Sequence, residues 1–143
     1  SASFTPGVLT ENTAYVLPLA DAGTSGDALT SNASGVLSWT TISGGASWQA
    51  VITADPANAV AGNGYFCNTT ASAFNVTLPT SATIGDEISF VDYAGTFDTN
   101  NLTVARNSHN IQGAAANLTV AVERAAFTLV YVDATQGWLL KDK

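Results

Sequence analysis

The chain has 143 residues, enough for one ordinary domain with an arm to spare, and only 10% of them are charged against a usual share of roughly 25%. Its formal charge is −7, and all four cations, Arg106, Arg124, Lys141 and Lys143, fall in the last 38 positions, leaving eight carboxylates and no cation in residues 1–105. That balance speaks against nucleic acid, whose phosphates need clustered Lys and Arg, and against anionic membrane surfaces.

Residues 1–13, SASFTPGVLTENT, read as an extended N-terminal arm in which Phe4, Val8 and Leu9 are isolated apolar side chains. An arm of this kind makes no core alone, so those side chains must dock on the main domain, on a sister chain or on another protein. Ser1-Ala2-Ser3 lacks the basic and then apolar stretches of a secretion leader. The longest apolar run, residues 125–132, is far short of the roughly 20 residues that a membrane-spanning helix needs, so cytoplasmic folding without membrane insertion is expected. Residues 14–46 form a repeat-like segment with a hinge. A first strand is expected over 15–19, where Pro18 cannot donate to a ladder and suits an edge or a chain-exchanged position. A Gly- and Ser-rich connection follows, with turn residues at 23–26 and 32–35, then a second strand over 36–42 and Ser43-Gly44-Gly45-Ala46 as the hinge.

From residue 47 to 143 the apolar residues recur with period two. Phe74, Val76 and Leu78 alternate with Asn75 and Thr77, and Leu118, Val120 and Val122 alternate with Thr119 and Ala121. Strands are expected over 47–53, 64–68, 74–78, 87–92, 102–106, 118–122, 126–132 and 138–141, which predicts an all-β fold, a small antiparallel sandwich or barrel-like domain. Ala114-Ala115-Ala116 offers one helical turn at most. Asn101-Leu102-Thr103-Val104 is echoed by Asn117-Leu118-Thr119-Val120, which suits two neighbouring strands with the same face, although chance likeness between Thr- and Val-rich strands serves as well; two copies do not make a solenoid.

Chemistry-bearing residues are sparse. Cys67 lies in the apolar run Tyr65-Phe66-Cys67 and reads as a core residue, 42 positions from the single histidine, His109, which itself reads as a turn or surface residue. Asp86 and Glu87 are adjacent on a strand and point to opposite faces, so they are no close carboxylate pair. Residues 92–101 bring oxygens together and read either as an Asx-rich hairpin loop or as a calcium loop without EF-hand spacing. No catalytic residue, metal ligand or cofactor is expected. Trp39, Trp48, Tyr65, Tyr93 and Trp138 would offer flat faces to sugars where exposed, and core packing predicts one or two so placed. The Asn-x-Ser/Thr triplets at Asn32, Asn68, Asn75, Asn101 and Asn117 follow from strand and turn composition.

The segment LPLADAGTSGDALTSNASGVLSWTT resembles a repeat found just ahead of the terminal domain in tail-fibre and other virion proteins of bacteriophages, marine and cyanobacterial ones especially. The rest resembles the small β-domain that follows it there, through Phe74-Asn75-Val76-Thr77-Leu78-Pro79, Gly85-Asp86-Glu87-Ile88-Ser89-Phe90-Val91-Asp92, the run Asn100 to Asn107, Thr128-Leu129-Val130-Tyr131 and Gly137-Trp138. The resemblance spans residues 14–141 and implies a homotrimer on a virion surface, assembled in the host cytoplasm. In such a trimer the strands of residues 14–42 are suited to exchange between chains, which places Tyr15, Leu17, Leu19, Val36 and Trp39 at the interface and leaves Phe4, Val8 and Leu9 to anchor the arm; the alternative is that the same segment folds back on its own domain. About 13 residues precede the repeat here, so for a chain that is a full gene product a short capsid decoration protein or head fibre, held by its arm, is as well suited as a tail-fibre tip. The implied partners are a major capsid protein or tail proteins, and, for a fibre tip, a host surface glycan. A carbohydrate-binding module outside any virus is the remaining reading, and it predicts sugar binding by a monomer.

Overall fold

The computed structural model describes Pro18, Ala20 and residues 27–32, 34–41 and 44–142, in two compact units, Ser1–Gly44 and Gly45–Lys143. Tyr15, Leu17, Leu19, Phe4, Val8 and Leu9 lie outside the described residues.

In the first unit β1 (Asp27–Ser31) pairs antiparallel with β2 (Leu37–Thr41), in register from Asp27 opposite Thr41 to Ser31 opposite Leu37. Asn32 makes the turn: its side-chain oxygen accepts the Ser34 and Val36 amides at 2.9 and 3.0 Å, and Gly35 takes φ 76°. The strand paired with residues 37–41 therefore comes from what the sequence suggested was connection. Asp27, Ala28 and Ser31 are weak strand formers, but hydroxyls compensate, with Thr30 and Thr40 Oγ1 2.7 Å apart and Thr41 Oγ1 donating to Asp27 at 2.7 Å.

The second unit holds two open sheets and no helix among the described residues. One is ordered β10 (Gly137–Asp142), β9 (Ala126–Asp133), β6 (Glu87–Asp92), β4 (Asn63–Cys67) and β3 (Ser47–Trp48); the other is β5 (Phe74–Thr77), β7 (Leu102–Ala105) and β8 (Leu118–Val120). The all-β expectation holds, but the purely antiparallel one does not: β3–β4, β4–β6 and β5–β7 are parallel pairs, and neither sheet closes into a barrel. The cause is the path of the chain. From β4 to β7 it alternates between the sheets, so the crossovers of β4–β6 and β5–β7 are strands of the facing sheet and those pairs run parallel, whereas β3 and β4 are joined by residues 49–62 with no strand of the other sheet between them. The chain then doubles back, and β8, β9 and β10 add antiparallel to β7, β6 and β9.

Period two places the core. Along β6, Ile88, Phe90 and Asp92 are buried and alternate with half-buried residues, and along β9 Phe127, Leu129 and Tyr131 are buried and alternate with exposed Ala126 and half-buried Thr128, Val130 and Val132. These meet Val76, Leu78, Leu102 and Val104 of the other sheet in one hydrophobic cluster, with Phe97 and Ile111 contributed by connections. Trp138 is fully buried and packs edge-on to Tyr131 at 5.4 Å. Gly137 before it sits at φ 71° where a Cβ would collide with the Asn110 carbonyl, so only glycine lets β10 turn in at this point. The echoed Leu-Thr-Val segments are neighbours, Leu102 opposite Val120 and Val104 opposite Leu118.

Candidate binding face

One row of residues crosses the face of the five-stranded sheet that looks away from the core. Trp48 lies opposite Gly64, Gly64 opposite Ser89, Ser89 opposite Thr128 and Thr128 opposite Asp142. Gly64 has a reason to be glycine: a Cβ there would meet the Trp48 ring at 2.5 Å, so the indole lies down on bare backbone. The ring also stacks on Phe66, with centroids 4.7 Å apart and planes 25° from parallel, and Trp48 as a residue remains 48% exposed. Ser89 Oγ and Thr128 Oγ1 are hydrogen-bonded at 2.9 Å. Trp48, Ser89, Val91, Ala126, Thr128 and Asp142 line a shallow cleft of about 240 Å³. On the same face Lys141 Nζ bonds both Glu87 oxygens at 3.0 and 3.1 Å, and Glu87 holds the ammonium above its ordinary pKa.

The residues singled out for chemistry are placed elsewhere. Cys67 is fully buried, and burial, reinforced by the Asp92 charge, pushes its thiol up to about 12, so it is no nucleophile at neutral pH. His109 is half-buried, its Nε2 3.0 Å from the Thr80 carbonyl oxygen and its ring edge-on to Tyr131. Asp86 accepts from the Thr83 amide and hydroxyl while Glu87 faces Lys141, so the adjacent carboxylates do point apart. Among the described residues no three His, Cys, Asp or Glu side chains are grouped to hold a metal.

Asp92, at the head of the loop read as calcium or Asx, is surrounded by donors. Oδ1 accepts the Gly95 and Thr96 amides at 2.9 and 3.1 Å, and Oδ2 accepts the Phe97 and Arg124 amides at 3.2 and 3.0 Å. Burial raises the pKa of this carboxyl, but the four amides outweigh it and hold the group below the ordinary carboxylate range. Four N–H dipoles aimed at one carboxylate build an anion's site, and the loop folds as an Asx structure.

Of the five aromatics considered for sugar contact, Tyr65 and Trp138 are core, while Trp39, Trp48 and Tyr93 are exposed, one more than core packing predicts. Val36 and Trp39, expected at a chain interface, are both exposed in the first unit, and Trp39 Nε1 donates to the Ala20 carbonyl at 3.0 Å. The row across the sheet escaped sequence reading because it depends on parallel pairing. Of its residues only Trp48 stands out in the sequence, as a flat face for sugars, while Gly64 falls at the very start of an expected strand, where a glycine only weakly signals close approach of another group. No protein-family model matches the chain, and no curated protein is similar to it.

Proposed function

We propose that this chain is a non-enzymatic, homotrimeric bacteriophage virion surface protein that decorates and stabilises a capsid or forms a short fibre. The observation that carries this reading is the β1–β2 hairpin. Two strands alone are marginally stable in water, and this pair leaves Leu29 44%, Val36 43% and Trp39 37% exposed. Apolar side chains exposed on both strands of a hairpin suit a partner surface, and a sister copy offers the same side chains by symmetry. The likeness of residues 14–141 to the repeat and following β-domain of phage fibres supports the same reading, with Tyr15, Leu17 and Leu19 joining that interface. Phe4, Val8 and Leu9 of the arm then engage a capsid or tail protein.

Light scattering on the purified protein tests this directly. The expected mass is three times 14.6 kDa, falling to one chain when Val36 and Trp39 are both replaced by Asp. A wild-type mass of 14.6 kDa at micromolar concentration overturns the trimer. Deleting residues 1–13 should leave the trimer folded and abolish its binding to particles; particle binding that survives the deletion removes the arm from that role.

A further inference from the structure

We propose that the outer face of the five-stranded sheet is a saccharide-binding shelf, with Trp48 as its stacking platform and Ser89, Thr128 and Asp142 as its polar partners. A glycine inside a strand sacrifices stability, and at Gly64 what it permits is an indole held flat against the sheet. Phe66 supports the same ring, so its orientation is fixed before any ligand arrives. The product of this arrangement is a held aromatic ring on a residue that stays 48% exposed.

What lies beside the platform sets the class of ligand. Along the row the next positions are two hydroxyls and then a carboxylate, one per strand, at a spacing of roughly 4.8 Å. A ligand matching this needs an apolar flat face for the indole and hydroxyls along its edge for Ser89, Thr128 and Asp142. A pyranose ring has both, with C–H bonds on its face and hydroxyls around its rim. Stacked nucleobases fit the indole but bring phosphates toward Asp142 and Glu87 in a chain of charge −7, which disfavours them. The same carboxylates disfavour acidic sugars, and among the described residues the cation on this face, Lys141, is already bonded to Glu87. Neutral hexopyranoses remain. The cleft of about 240 Å³ is small and open, so a single site binds weakly and several copies on one particle would bind through avidity.

This inference is independent of the proposed trimer: a sugar-binding monomer would remove the trimer and keep the shelf, and a trimer without sugar binding would do the reverse. The test is an array of neutral and sialylated glycans probed with the full chain, followed by calorimetric titration of the strongest neutral hit. Saturable binding of neutral glycans is expected, with affinity falling at least tenfold in Trp48→Ala. Because Trp48 also packs on Phe66, a second variant, Ser89→Ala with Thr128→Val, keeps the volume of the row and removes only its hydroxyls. It too should weaken binding while leaving thermal unfolding near that of the parent. Absence of neutral-glycan binding, binding confined to sialylated glycans, or affinity unchanged in both variants overturns the shelf.

Discussion

The carboxylate of Asp92 ties two loops to the end of β6, accepting from Gly95, Thr96 and Phe97 on one side and from Arg124, at φ 58°, on the other. Replacing it by Asn turns one accepting atom into a donor that faces N–H groups. Asp92→Asn should therefore cost on the order of 3 kcal/mol in urea unfolding at pH 7. The wild-type contribution has a defined pH dependence. A carboxyl whose folded pKa lies below its unfolded value of about 3.9 stabilises fully at neutral pH, begins to lose that contribution as pH falls past the unfolded value, and loses all of it once the folded carboxyl protonates. The stability gap between wild type and Asp92→Asn should close over that acid range; a gap that stays constant from pH 7 to pH 2 would show that the charge of Asp92 is not what stabilises. Cys67 provides a reporter for the same experiments. Fully buried, with its thiol pushed up to about 12, it should react with a thiol reagent only when the domain opens, and labelling at the rate of a free thiol would contradict that placement.

At the scale of elements, side-chain alternation made most strands legible and pairing did not follow from it. Residues 87–92 were expected as a strand and β6 is Glu87–Asp92, because Ile88 and Phe90 announce a buried face at every second position. Residues 47–53 shrink to Ser47–Trp48 plus an isolated bridge from Ile52 to Cys67, and β1 was read as connection, because neither stretch buries a continuous face. The β4–β6 and β5–β7 parallel pairs are set by which sheet each crossover enters, a long-range property with no local signature. The shelf inherits that illegibility, since Trp48, Ser89 and Asp142 stand far apart in sequence and align only through register. Edge strand β8 tests the alternation itself. Leu118 is half-buried against the core and Thr119 is exposed, so Leu118→Asp should destabilise by about 2–3 kcal/mol while Thr119→Asp should stay within about 0.5 kcal/mol. Equal costs in thermal or urea unfolding would mean that β8 does not present one face to the core.

For the whole molecule the decisive quantity is charge against apolar area. Each chain carries −7 and has few cations to offer a neighbour: Lys141 is bonded to Glu87, and Arg124 is turned to the Tyr93 carbonyl. Association of three such chains is opposed by their mutual repulsion and must be driven by burial of groups such as Leu29, Val36 and Trp39, at roughly 25 cal/mol per Å² of apolar area removed from water. The two contributions respond oppositely to salt. Screening shortens the reach of repulsion from about 30 Å at 0.01 M to about 8 Å at 0.15 M and leaves apolar burial in place. The proposed trimer should therefore tighten as salt rises, so that sedimentation at a concentration near half-dissociation shows more trimer at 0.5 M NaCl than at 0.02 M. A trimer that instead dissociates with salt would be held by ion pairs between chains, which would move its interface from the hairpin to a surface containing Arg106, Arg124 or Lys143.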